Sequence, residues 1–295
     1  MDEHGWESAF ASWASPPGKT EQDRCDNAVS AVRNAVAASG ELNRRSVRVF
    51  VHGSYRNNVN VKQDSDVDLG VLCDDSFFYV LPDGHDAEAF GIRPATYHYS
   101  QFKDELQRAL AKHFGARSVT PGSKVFHLHE TSYHVKADVA AFFEHQRFDA
   151  GGHVLKGVEL RSIDGSRIIN WPEQHYDNGV SKNDSTSRAY KGAVRIFKRL
   201  MLEMQDHKIA IAVPLSGFVL ECMVWHVPDP MFRQERWVSV IRDSIVYLWS
   251  ATKTEDKCAE WGEVSDLKYL FKFDPQRRVA AHAFLEQAWA YIGFQ

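Results

Sequence analysis

The sequence predicts an α+β fold, on three observations. An early stretch is apolar at Val29, Val32 and Val36, the spacing of one helix face. Between it and about residue 170 come short runs alternating β-branched with polar residues. From about Ser181 onward helical patterning dominates. Helix, β-rich core, then helices is the order of an α+β protein rather than of a repeating βαβ unit.

The elements follow in turn. An opening helical stretch is broken at Pro16-Pro17-Gly18, after which Thr20 is expected to cap a helix ending at Gly40. Val47, Val49 and Val51 share one face of a strand, and "SDVDLGVLC" reads as a second. A polar and aromatic loop is expected over 74–98, then a helix through "QFKDELQRALAKHFG". "KVFHLHE" and "YHVKADVAAFF" are two further strands, followed by a glycine-rich hairpin-like region over 151–166. The expected division is 1–180, a core with its N-terminal helix, and 181–295, a helical lobe.

Composition narrows the function. Hydrophobic residues make 44% and charged residues 25% of 295, ordinary for a soluble folded chain. With 35 basic against 39 acidic residues the net charge is −4, which argues against a broad basic face for duplex nucleic acid. No apolar run approaches the roughly 20 residues of a membrane span, and "MDEHGWESAF" is not a secretory leader. Cys25, Cys73, Cys222 and Cys258 are scattered and read as buried or incidental thiols, and a cytoplasmic enzyme is the expectation. His127, His129 and His134 lack the matched spacing of a zinc site, and Trp225, Trp237, Trp249 and Trp289 read as packing residues.

The chemistry lies in "HGSYRNNVNVKQDSDVDL". Asp66 and Asp68 flank Val67, so a strand would present both carboxylates on one face, about 6–7 Å apart along the chain. Like charges that close require neutralisation, which a pair of Mg²⁺ (or Mn²⁺) ions supplies through oxygen ligands. Asp138, in the otherwise apolar "ADVAAFF", needs a partner too, and a neighbouring strand bearing Asp66 and Asp68 would provide one. Gly53 permits a tight bend, and Ser54 with nearby amides can hold a terminal phosphate. D-x-D-x-D alone also occurs in calcium loops, glycosyltransferases and solvated turns, and Asp64 reads as a loop residue. The Gly-Ser turn after a strand, the spacing to Asp66 and the later strand aspartate together point to in-line nucleotidyl transfer with two metals. Lys191, Arg195 and Lys198 share a helix face, either a triphosphate-neutralising cluster or a solvated basic face.

This pattern resembles the polymerase-beta-like nucleotidyltransferase fold. With "HVKADV", "NWPEQHYDNGVSKND", "AYKGAVRIFKRL" and "VPLSGFVLECMVWHVP" it is similar to the bacterial CD-NTases, relatives of cyclic GMP-AMP synthase and oligoadenylate synthase. The resemblance implies an active site in a cleft between two lobes. Asp66, Asp68 and Asp138 would bind metal, and Asp138 would also help activate the attacking hydroxyl. Ser54, Lys198 and Ser216 would hold the donor triphosphate, and Asn170 would stand near a nucleobase. An amide at Asn170 suits the Watson–Crick edge of uracil as well as other bases; favouring a pyrimidine there makes UTP and/or ATP the expected substrates, and equally Asn170 can simply end a strand before Trp171-Pro172. The implied product is a cyclic dinucleotide or small cyclic oligonucleotide acting as a second messenger in anti-phage signalling. The alternatives are nucleotide transfer to RNA or protein, or a non-catalytic nucleotide-binding regulator. No zinc and no direct activation by nucleic acid are expected, and a monomer is the default.

Overall fold

The computed structural model describes residues 1–61, 67–131, 134–209 and 215–294. In chain order its elements are α1 (Glu3–Trp13), α2 (Lys19–Ala37), β1 (Val47–His52), α3 (Gly53–Arg56), β2 (Val67–Val80) and α4 (Tyr99–Phe114). There follow β3 (Val119–Pro121), β4 (Phe126–Leu128), β5 (Ala137–Phe148), β6 (Val154–Arg161) and β7 (Arg167–Asn170). The last helices are α5 (Pro172–Ser185), α6 (Ala189–Asp206), α7 (Gly217–Trp225), α8 (Trp237–Thr252) and α9 (Pro275–Ile292). Two compact units result: a sheet unit of Gly18–Tyr55 with Ser65–Pro172, and a helical unit of Met1–Pro17, Arg56–Asp64 and Glu173–Gln295. Both are discontinuous, whereas the expected division was one cut at 180/181.

In the sheet unit the strand order is β1-β2-β5-β4-β3, with β6 also pairing β5 and β7 pairing β6. Among the described residues only β2 and β5 run parallel; the other strand pairs are antiparallel. Val67, Leu69 and Val71 of β2 pair with Ala137, Val139 and Ala141 of β5, and all are buried. They share a core with Val29 and Val32 of α2 and Phe102, Leu106 and Leu110 of α4, so both helices cover that face. Residues of intervening parity face the other way, where Leu72, Ala140, Phe142, Val158 and Leu160 form a second, smaller core. Burial of each large apolar side chain contributes roughly 1.5–3 kcal/mol, so a one-residue slip of β2 would forfeit several such terms.

Three boundaries differ from expectation. Gly18, not Thr20, caps α2, because the helix begins as soon as the two prolines end, and it stops at Ala37, before Gly40. β2 continues through part of the expected loop: an irregularity between Cys73 and Phe77 takes up Asp74, Asp75 and Ser76, after which Phe77–Val80 pair with Glu144–Arg147. Helix resumes at Pro172 rather than Ser181, with proline at the first helical position, where its missing N–H costs nothing.

The helical unit is built round α6, whose Ala193, Val194, Phe197, Leu200 and Met204 are fully buried. Trp6 and Phe10 of α1 join that core, as do Val219, Leu220, Cys222, Met223 and Val224 of α7 and the inner faces of α8 and α9. Trp225, Trp237, Trp249 and Trp289 pack against it partly buried, as expected of packing residues. All four cysteines are free and buried. Among the described residues, no helix is long and apolar enough to cross a membrane.

Candidate active site

Register lines up four polar side chains across one end of the sheet. His52, the last residue of β1, lies opposite Asp68; Asp68 lies opposite Asp138; and Asp138 lies opposite His127 of β4. Neighbouring strands are about 4.8 Å apart, so the two aspartates stand side by side on the face opposite α2 and α4. Asp68 and Asp138 are each flanked in sequence by buried apolar residues, Val67 and Leu69 for one and Ala137 and Val139 for the other. Period-two alternation therefore holds both carboxylates out of the core. Asp66, the remaining expected ligand, lies outside the described residues, as does Asp64.

The turn after β1 closes onto this row. Gly53 has φ +65°, a conformation that costs an L residue, and a Cβ there would lie 2.0 Å from Oδ2 of Asp68. Two independent constraints thus demand glycine: the backbone angle and the close approach of the Asp68 carboxylate. Ser54 follows in the single turn of α3, part-exposed. Gly70, two residues beyond Asp68, leaves room for the Phe50 ring, which a Cβ would meet at 2.2 Å. Phe50, His52 and Phe142 then form an aromatic group beside the aspartates.

On the far side His127 Nδ1 lies 2.7 Å from Oδ1 of Asp138. His129 and His134 bond elsewhere, to the Thr120 hydroxyl and to a backbone carbonyl, so the three histidines do not converge. Among the described residues, no group of three or more His, Cys, Asp or Glu is placed to hold a metal ion. Asp68 and Asp138 nonetheless form a pair of adjacent hard oxygen donors, the type a divalent ion takes.

Asn170 ends β7, opposite Val158 of β6. The next residue, Trp171, is buried against Gly157, where a Cβ would lie 2.6 Å from the indole and 2.7 Å from the Asn170 carbonyl oxygen. His145 meets Trp171 edge-on at 5.4 Å and lies 2.8 Å from Glu159 through Nδ1. Arg167 also donates to Glu159. Burial pushes the Glu159 carboxyl up, but these bonds outweigh it and hold it below its ordinary range. The strand end carrying Asn170 is therefore anchored from beneath.

In the helical unit Lys191, Arg195 and Lys198 of α6 have three different partners. Lys191 lies 5.6 Å from the Tyr176 ring. Arg195 donates to the carbonyls of Ala14 (2.7 Å through Nε) and Asn58, joining the end of the α1 segment to the 56–61 stretch. It is a buried structural clasp rather than part of a solvated or phosphate-facing row. Lys198 is buried, with Nζ 3.2 Å from Oε2 of Glu221. Glu221, on the apolar α7, also takes His175 at 2.8 Å and Asn57 at 3.3 Å. Burial raises the Glu221 carboxyl, but Lys198 and His175 outweigh it and hold the pKa at about 2. Sequence reading passed over Glu221 within "VLECMVW"; a lone acid in a fully apolar helix was the available sign. Exposed Ser216 caps α7 by accepting from the Val219 amide. A Cβ on Gly217 would lie 3.3 Å from Lys198 Cε, so the Lys198 stem runs beside the residue after Ser216.

Comparison with known proteins supplies the family. Residues 32–129 match the nucleotidyltransferase domain, and residues 177–293 the cGAS/DncV-like nucleotidyltransferase C-terminal helical domain. The chain is 36% identical over 266 residues to the cyclic dipyrimidine nucleotide synthase CdnE of Cecembia lonarensis, covering 90% of each. It is 35% identical over 292 residues to the cyclic dipyrimidine nucleotide synthase CdnE of Legionella pneumophila, covering 97% of this chain and 98% of that one. The solved Elizabethkingia meningoseptica CdnE cyclic dinucleotide synthase, with GTP and Apcpp, matches with a TM-score of 0.81 at 31% identity, over 98% of this chain and 99% of that one. The chain belongs to the CD-NTase family, with the polymerase-beta-like fold, and is a nucleotidyltransferase of the cyclic-oligonucleotide-forming type.

Proposed function

We propose that this enzyme joins two nucleoside triphosphates, at least one of them UTP, into a cyclic dinucleotide that serves as a second messenger in anti-phage defence. The observation that carries the chemistry is the pairing of Asp68 with Asp138 beneath the Gly53 turn. In this reading Asp66, Asp68 and Asp138 hold two Mg²⁺ or Mn²⁺ ions, which supply charge neutralisation at the phosphates and acidity at the attacking hydroxyl. The Ser54 hydroxyl binds the donor triphosphate, and Lys198 and Ser216 contribute to holding it. Asp138 helps draw the proton from a ribose 2′ or 3′ hydroxyl, whose oxygen bonds to the α-phosphorus as pyrophosphate leaves. The linear intermediate repeats the step on itself, releasing a second pyrophosphate and closing the ring.

The pyrimidine assignment rests on the Asn170 amide at the anchored end of β7. It is supported by the Cecembia and Legionella relatives, both cyclic dipyrimidine nucleotide synthases. A monomer, without zinc and without a nucleic-acid activator, completes the reading. The test is incubation of purified protein with each combination of labelled nucleoside triphosphates, phosphatase digestion and mass measurement of what survives. A resistant uridine-containing ring is expected. A purine-only ring sinks the pyrimidine assignment, and label appearing in RNA or protein sinks cyclisation.

A further inference from the structure

We propose that His127 is a positioning residue, holding the Asp138 carboxylate in the one orientation the reaction uses. The inference rests on the role given to Asp138 above. Antiparallel pairing of β4 with β5 puts His127 directly opposite Asp138, and Nδ1 lies 2.7 Å from Oδ1. A carboxyl group turns easily about its last bond, since such sp³–sp² torsions are broad. The Asp138 side chain is 25% exposed, so packing alone does not fix that angle. A bond to one oxygen does, and it leaves Oδ2 as the atom to offer a ligand.

The ring that makes this bond is itself held. A Cβ on Gly122 would lie 2.5 Å from His127 Nε2 and 3.1 Å from Cδ2, so the imidazole nests where no side chain stands. The Gly122 amide donates to the Val125 carbonyl at 2.8 Å, closing the turn between β3 and β4 around the ring. His127 thus has the Gly122 backbone close behind it and the Asp138 carboxylate bonded in front. Outer partners of this kind typically change metal affinity or activity by about 10–100-fold when removed.

The experiment compares His127→Phe, His127→Asn and His127→Gln in the full chain. The asparagine amide reaches the position of Nδ1, whereas glutamine reaches that of Nε2. Readouts are kcat, KM for nucleoside triphosphate, and Mn²⁺ affinity by paramagnetic resonance without nucleotide. The Phe and Gln variants are expected to lose about 10–100-fold in kcat and in Mn²⁺ affinity, with KM little changed. His127→Asn should recover most of both, an outcome a merely structural role would not produce. Wild-type kcat and Mn²⁺ affinity in the Phe variant would overturn the inference, as would equal damage in the Asn and Gln variants. Should the Phe variant not fold, the Asn–Gln contrast decides alone. Asp138→Asn, run alongside, separates the two layers: if it stays active, the role of Asp138 itself fails.

Discussion

Replacing Gly53 by alanine places a methyl carbon 2.0 Å from Oδ2 and 2.8 Å from Cγ of Asp68, where ordinary contact begins near 3.4 Å. The carboxylate must therefore move by more than 1 Å, because the carbon that displaces it is fixed to the backbone. A misplacement of about 1 Å among reacting groups can cost on the order of 10²-fold in rate. The φ of +65° adds backbone strain of roughly 1–3 kcal/mol for a residue with a side chain. Gly53→Ala should accordingly lower kcat for product formation at least ~100-fold. It should also lower the thermal midpoint by a few degrees, at roughly 2–4 °C per kcal/mol for a chain of this order of size. The two causes separate in an Asp68→Ala background. There the carboxylate contacts vanish and only the 3.1 Å approach to Cβ remains, so the stability cost of Gly53→Ala should shrink toward the backbone term. Wild-type activity in Gly53→Ala would refute the close-approach reasoning. An identical stability cost in both backgrounds would show that the carboxylate is not what the methyl group strikes.

Three further outcomes are expected. Glu221→Gln removes the charge that answers buried Lys198 and His175, and should destabilise the fold by roughly 3–5 kcal/mol in denaturant titration. Because the folded pKa of about 2 lies below the ordinary 4.5, Glu221 stabilises fully above about pH 4.5 and progressively less as pH falls toward 2. The variant should therefore lose less stability than wild type across that window, and parallel curves would contradict the assignment. Arg195→Lys cannot reach both carbonyl acceptors and should cost about 1–3 kcal/mol while leaving KM for nucleotide unchanged; a raised KM with intact stability would return Arg195 to the phosphate. Asn170→Ser should shift the nucleotide profile away from uridine, and an unchanged profile would remove Asn170 from base selection.

The parts of the site legible in the sequence are those set by local periodicity. Alternation around Asp68 and Asp138 announced that each projects from a strand whose other face is buried, and Gly53-Ser54 announced a turn. That a neighbouring strand would bring Asp68 to Asp138 was expected from the cost of an unpartnered acid, but the register itself, and His127 opposite Asp138, were not legible, because they depend on pairing between strands far apart in sequence. The basic spacing on α6 misled at Arg195 for the same reason, since position on one helix cannot say that the carbonyls of Ala14 and Asn58 await that cation. β2 outran its expected end because a bulge absorbs Asp74, Asp75 and Ser76, and the aromatic run after them then resumes pairing. Pro172 was a helix start that composition alone conveyed, and it was passed over.

The most direct measurement is cyclic product formation from the four nucleoside triphosphates with Mg²⁺ by the wild-type chain, Asp68→Asn and Asp138→Asn, each verified as folded by circular dichroism. A phosphatase-resistant cyclic dinucleotide from the wild type, absent from both variants, is the predicted result. The same product from either folded variant would contradict the assignment of the chemistry to this carboxylate pair.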